Sequence, residues 1–124
     1  MTAKVVDTSA LAAVAFKEPE GEAITAQLSG HQLHAPLLFT YEMANVCWVK
    51  IRRSPAARAT IFEQFIDAQR VPIGLNDVDF SGVVELALRH NLTVYDASYL
   101  WLADNLGAEL VTLDEKLEQA AKTI

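Results

Sequence analysis

With 124 residues, 52% of them hydrophobic, and a formal net charge of −6, the chain holds enough apolar material for one well-filled core. No apolar run approaches the roughly 20 residues of a membrane span, no secretory pattern precedes the first strand, and the lone Cys47 rules out an internal disulfide, so a cytoplasmic protein is expected. The acidic balance argues against broad nucleic-acid binding, yet Lys50, Arg52, Arg53 and Arg58 crowd into one short segment.

Ala3 to Val6 reads as a buried strand ending at Asp7, with Thr8 or Ser9 placed to cap a helix from Ala10 to about Phe16. The run KEPEG at Lys17 to Gly21 breaks that helix; Glu22 to Leu28 begins another, which Gly30 ends. Gln32 to Ala35 is a short strand, and Pro36 fits the first turn of a helix from Leu37 to about Arg52. Along that helix Leu38, Tyr41, Asn45 and Trp48 share one side, and Glu42, Val46, Val49 and Arg53 form the adjacent stripe. Cys47 fits there as a small core residue.

Ser54-Pro55 interrupts the run, and a helix from Ala56 to Ala68 carries apolar Ile61, Phe62, Phe65 and Ile66. Val71 to Leu75 is a third strand; Asn76 or Asp77 caps a helix running to His90, where Asn91 ends it. Thr93 to Tyr95 favours a fourth strand that runs into Asp96 at a cap position. A helix from Ala97 to Leu106 follows and stops at Gly107. Glu109 to Leu113 is the last strand, Asp114 follows it, and a polar helix covers Glu115 to about Lys122. Strands alternating with helices predict a three-layer α/β/α arrangement around a central parallel sheet, residues 1–124 forming a single domain.

Four acids in this layout carry chemistry. Asp7, Asp96 and Asp114 each stand where a strand hands over to a helix, and capping alone explains any one of them. Glu42 lies inside a helix and caps nothing; it either reaches solvent or points over the carboxyl edge of the sheet, where open α/β folds keep their sites. Carboxylates converging there repel one another, and the usual relief is a hydrated Mg²⁺ or Mn²⁺. Such an ion on such an edge suits phosphodiester hydrolysis. His31, His34 and His90 sit far from the acids in sequence and offer no zinc site.

VVDTSAL near the N-terminus, YEMANV on the third helix, and VYDASYLWLA and LVTLDEKL near the C-terminus stand in the order and spacing of a known family. Together they resemble the PIN-domain ribonucleases, and more narrowly the VapC toxins of toxin–antitoxin pairs. The resemblance spans essentially the whole chain and implies a PIN fold and a Mg²⁺- or Mn²⁺-dependent endoribonuclease. Asp7, Glu42, Asp96 and Asp114 match the family's acidic quartet. Asp7 and Asp96 are then the direct metal ligands, Asp114 binds directly or through water, and Glu42 orients the attacking water or a second metal.

Thr8, Ser9 and Thr112 match supporting hydroxyls beside the acids, and Asn45 a polar position one helical turn after Glu42. Lys50, Arg52, Arg53 and Arg58 are placed to grip phosphates flanking the scissile bond, or simply to solvate a helix end. The resemblance further implies a homodimer and a VapB-like antitoxin, with DNA reached only through that antitoxin. Leu38, Tyr41, Trp48, Phe62 and Phe65 divide between core and groove, with core expected for most. Two rival readings share this outline: a PIN fold that binds without catalysis, and a phosphoacceptor signalling domain. The second wants an acidic pair before its receiving Asp and a Lys near the last strand; here Val6 precedes Asp7 and Lys116 sits in a helix.

Overall fold

The computed structural model describes residues 2–124. Its elements run β1 (Ala3–Val6), α1 (Thr8–Ala15), α2 (Gly21–Leu28), β2 (Gln32–Pro36), α3 (Leu38–Arg53), α4 (Arg58–Ala68), β3 (Ile73–Asn76), α5 (Phe80–His90), α6 (Val94–Leu106), β4 (Glu109–Val111) and α7 (Glu115–Lys122). A short 3₁₀ turn, Pro55–Ala57, starts with the proline that breaks α3 from α4.

The four strands are all parallel, in the order β3-β2-β1-β4. Val5 pairs with His34 on one side and Leu110 on the other, and the side chains of Val5 and Val6 are fully buried. The chain steps outward from β1 through β2 to β3 and returns to place β4 on the far side of β1. The order therefore reverses at β1, the kind of switch point beside which open α/β sheets keep their sites. Helices α1 to α4 pack among themselves on one face, and α5 to α7 on the other, giving the three layers. In α6, Ala97 through Leu100, Leu102 and Ala103 are all buried, and the helix packs on β1, β2, β4, α5 and α7. A helix apolar nearly all round belongs in such a sandwiched position. Among the described residues no helix is long and apolar enough to cross a membrane.

Several boundaries differ from expectation, the largest at Thr93–Tyr95, which is not a strand. Asn91 takes the left-handed conformation (φ 53°) that closes α5, and Leu92 N–H bonds back to Ala87. Thr93 is then already the N-cap of α6, its hydroxyl accepting from the Asp96 N–H at 3.1 Å. With three residues between two helices, the β propensity of Val94 and Tyr95 has no sheet edge to join. The sheet has four strands rather than five, and Asp96 lies in the first turn of α6 rather than at a strand end. Asp7, not Thr8 or Ser9, holds the N-cap position of α1, and Asp79, not Asn76 or Asp77, that of α5. Pro36 closes β2 opposite Asn76 instead of opening α3. β4 stops at Val111 because Thr112 leaves the ladder, and β3 begins at Ile73.

The core also corrects the aromatic assignments. α3 buries Phe39, Met43 and Cys47, spaced i, i+4, i+8, and turns Tyr41 (79% exposed) and Trp48 (56%) outward. Phe62 is exposed as well, while Leu38 and Phe65 pack partly against the core. Cys47 is the buried small residue expected. One close approach matters for the α1–α2 corner: a Cβ on Gly21 would lie 2.5 Å from the Ala13 carbonyl oxygen. Gly21→Ala is therefore expected to destabilise the fold by about 1–3 kcal/mol through overpacking against backbone, read as a lowered urea midpoint; an unchanged midpoint would show that α2 shifts freely.

Candidate active site: acids at the strand ends

Each acid can now be asked whether capping accounts for it. Asp7 follows β1 and is only 6% exposed, and its N–H extends the ladder to the Val111 carbonyl at 2.9 Å. It occupies the N-cap position of α1, yet its side chain caps nothing. Oδ2 instead accepts from Ser9 Oγ (2.7 Å) and Thr112 Oγ1 (2.8 Å), so hydroxyls from two elements fix the carboxylate. Asp96 sits half-buried in α6, where Thr93 already supplies the cap. Asp114 is the true cap: Oδ1 accepts from the Leu117 N–H at 3.0 Å, and its own N–H donates to Thr112 Oγ1 at 3.0 Å. Local helix chemistry thus explains Asp114, suits Asp96 as an acid in the first turn of α6, and leaves Asp7 unexplained.

Glu42, in the second turn of α3, is half-buried and turned inward. Its Oε1 accepts from the Tyr99 hydroxyl at 2.6 Å and from Thr8 Oγ1 at 3.0 Å, while Thr8 and Tyr99 lie 2.8 Å apart. Thr8 is thereby joined to Glu42, and Ser9 and Thr112 to Asp7. Tyr99, fully buried, is a functional candidate that the sequence motifs did not single out. The signal was present: Tyr99 stands three residues after Asp96, hence on the same side of α6.

The electrostatics tie the four acids together. Burial raises the proton affinity of Asp96, and the negative charges of Asp114 and then Asp7 raise it further. Burial likewise raises Glu42, against the lowering pull of the Tyr99 and Thr8 hydrogen bonds, and the charges of Asp7 and Asp96 add to the rise. Burial and the adjoining Glu42 carboxylate push the Tyr99 phenol far up, so it is a permanent donor. A single cation, Lys116, offsets any of this at Asp96, and only weakly.

Among the described residues no three His, Cys, Asp or Glu side chains are drawn together tightly enough to chelate a metal. The donor set nevertheless fits one kind of ion. It is all oxygen, mutually repelling and under-neutralised, and Mg²⁺ keeps several waters while using one or two carboxylates. A hydrated Mg²⁺ or Mn²⁺ suits this edge; zinc, which wants nitrogen or sulfur ligands, does not.

The remaining candidates lie outside the hydrogen-bonded cluster. Asn45 is exposed on α3 one turn beyond Glu42. Lys50 is committed to Glu18 (2.9 Å) and lies over the Phe16 ring. Arg52 stacks on Trp48 with 4.9 Å to the ring centroid, Arg58 on Phe62 with 5.5 Å, and Arg53 is exposed at the end of α3. A concavity of about 800 Å³ runs along the β4 edge, lined by Ile24, Leu100, Asp104 and Leu110, but meets the cluster only at Thr112.

Comparison with known proteins places this arrangement. The PIN domain family model matches residues 4–123. Ribonuclease VapC3 of Pyrobaculum aerophilum is 33% identical over 120 residues, covering 93% of this chain and 92% of that one. Ribonuclease VapC12 of Mycobacterium tuberculosis is 27% identical over 116 residues, covering 94% and 90% respectively. The crystal structure of PAE2754 from Pyrobaculum aerophilum superposes with a TM-score of 0.80 at 29% identity, over 98% of this chain and 86% of that one. With a four-stranded parallel sheet, an acid after its central strand and this match from end to end, the chain belongs to the PIN-domain family, in its VapC type.

Proposed function

We propose that this chain is a Mg²⁺- or Mn²⁺-dependent endoribonuclease, the toxin of a toxin–antitoxin pair. The observation that carries the reading is the under-neutralised acid cluster: the charges of Asp114 and Asp7 add to burial in raising the proton affinity of Asp96, and those of Asp7 and Asp96 do the same at Glu42. Such a site stores repulsion that a divalent cation relieves, and an open edge rather than an enclosed pocket suits a polymer. The ribonuclease names of the VapC3 and VapC12 relatives support the substrate class.

Asp7, Asp96 and Asp114 would hold the ion, which supplies an activated water and charge neutralisation at the scissile phosphate. Ser9 and Thr112 hold the Asp7 carboxylate in one orientation, and Thr93 fixes the turn that presents Asp96. Glu42, anchored through Oε1, orients the attacking water, and its raised proton affinity suits it to take that water's proton. Arg52, Arg53 and Arg58 face the RNA, while Lys50 is occupied within the chain. The same reading takes residues 1–124 as one domain, working in the cytoplasm as a homodimer held in check by a VapB-like antitoxin, with DNA approached only through that antitoxin.

Incubation of cellular RNA with the purified protein tests this. Discrete cuts are expected with Mg²⁺ or Mn²⁺, none with EDTA, and none with Asp96→Asn. Cleavage that survives the substitution would place the site elsewhere; a folded, antitoxin-free protein silent with both metals would leave a PIN fold that only binds.

A further inference from the structure

Four residues of α3 form an outward stripe at spacings of four, three and four: Tyr41, Asn45, Trp48 and Arg52. All four are exposed, Tyr41 at 79% and Trp48 at 56%, and the stripe starts beside Glu42 and runs about 16 Å along the helix. The neighbouring helix α4, which packs on α3, adds a second ring of the same kind, Phe62, 41% exposed. Both rings carry a guanidinium on them, Arg52 on Trp48 and Arg58 on Phe62, and each stays substantially open to solvent.

Among the described residues none of Arg52, Arg53 and Arg58 is in an ion pair, in a chain whose net charge is −6. Arginine lying flat on an aromatic ring screens the ring, and that alone could explain one such pair. Two pairs, a third arginine outside any ion pair and an exposed tyrosine next to Glu42 in sequence put π faces and positive charge on two helices that pack on each other. That combination matches single-stranded nucleic acid, which offers a base and a phosphate at every step.

We propose that the outer face of α3 with the start of α4 is a stacking track for single-stranded RNA, feeding the strand toward the acid cluster. Bases stack on Tyr41, on the Trp48–Arg52 pair and on the Phe62–Arg58 pair, and Arg53 meets a phosphate. The proposal rests on the ribonuclease reading and assigns the surface along which the strand lies. It also changes the role of two arginines from phosphate grips to parts of stacks. The competing occupant is a protein, since Ile66 continues the α4 face as an apolar residue, 48% exposed.

Binding of a dye-labelled single-stranded RNA of mixed sequence, and of its duplex, to the full chain in EDTA separates the possibilities. Trp48→Ala and Phe62→Ala are expected to weaken single-strand binding on the order of tenfold or more per ring, with the salt dependence unchanged and Trp48→Phe retaining most of the affinity. Arg53→Gln should instead reduce the salt slope by about one. Both rings are exposed, so the variants keep the fold. Equal loss on duplex and single strand, or no loss at all, overturns the track; a changed sedimentation mass with unchanged RNA affinity assigns the face to a protein. Cleavage in Mg²⁺ is scored separately. A wild type that cleaves while the ring variants bind and cleave like it defeats the track alone. One that binds in the expected pattern but never cleaves defeats the nuclease reading alone, and one that does neither defeats both.

Discussion

Asp7→Asn is expected to give a folded protein with no measurable RNA cleavage, a loss beyond the roughly 10–100-fold that follows when only a supporting partner of a metal ligand is removed. The amide keeps an oxygen where Oδ2 now accepts from Ser9 and Thr112, so the hydroxyls joining α1 to the segment after β4 stay satisfied. What disappears is the charge. Because Asp7 contributes to the raised proton affinity of both Glu42 and Asp96, its neutralisation lets those two ionise more readily, and the metal-free variant should be no less stable than wild type at neutral pH. The cost appears only with metal: Mn²⁺ should raise the melting temperature of wild type and much less that of the variant. Asp7→Ala differs, leaving two hydroxyls without their acceptor at a cost of about 1–3 kcal/mol in stability. Cleavage by Asp7→Asn near the wild-type rate would remove Asp7 from the site.

The separation of charge from structure at Asp7 also marks where sequence reading succeeds. Val5 and Val6 before Asp7, and Leu110 and Val111 before Thr112, are short apolar runs bounded by polar residues, which a buried parallel strand requires, and both are strands. Asp7 and Asp114 could therefore be put on one edge. Asp96 reached the same edge by a different route. Val94 and Tyr95 have strand propensity, but Asn91 in the left-handed conformation and Thr93 as a cap commit the chain to two helices in succession, and local propensity yields. Asp96 comes close enough to Asp114 and Asp7 to feel their charges because α6 packs on β1 and β4.

Glu42 was legible as an acid that caps nothing; its direction was not, because a helical glutamate can face either way. Its hydrogen bonds come from Thr8 and Tyr99, 34 and 57 residues away, and no spacing rule spans such distances. The exposed aromatics of α3 and α4 show the converse limit. Phe39–Met43–Cys47 and Tyr41–Asn45–Trp48 are both helical stripes, and only packing decides which one faces inward. Gly21, taken as a helix breaker, is where α2 crosses the Ala13 carbonyl too closely for any side chain.

Tyr99→Phe is expected to impair cleavage while leaving metal binding in place, and its effect on stability should depend on pH. The phenol is fully buried and donates to Glu42 Oε1 at 2.6 Å; removing it leaves Thr8 as the one side-chain donor to that carboxylate among the described residues. A hydrogen bond to a charged group contributes about 1.5–3 kcal/mol, so destabilisation of that order is expected once the pH is high enough for Glu42 to be ionised. The Tyr99 bond lowers the Glu42 pKa against the larger effect of burial, so its removal drives that pKa higher still. A carboxylate whose folded pKa is raised favours the native state below its unfolded pKa and loses that contribution as pH climbs through the folded value. The variant, with the higher folded value, therefore suffers most where the wild-type carboxylate is ionised and least in acid. Urea midpoints of wild type and variant should converge as pH falls below the ordinary glutamate range, and the acid limb of the cleavage profile should move to higher pH. A midpoint difference that is the same at both ends of the range would mean that Tyr99 serves packing alone and does not hold Glu42 for the reaction.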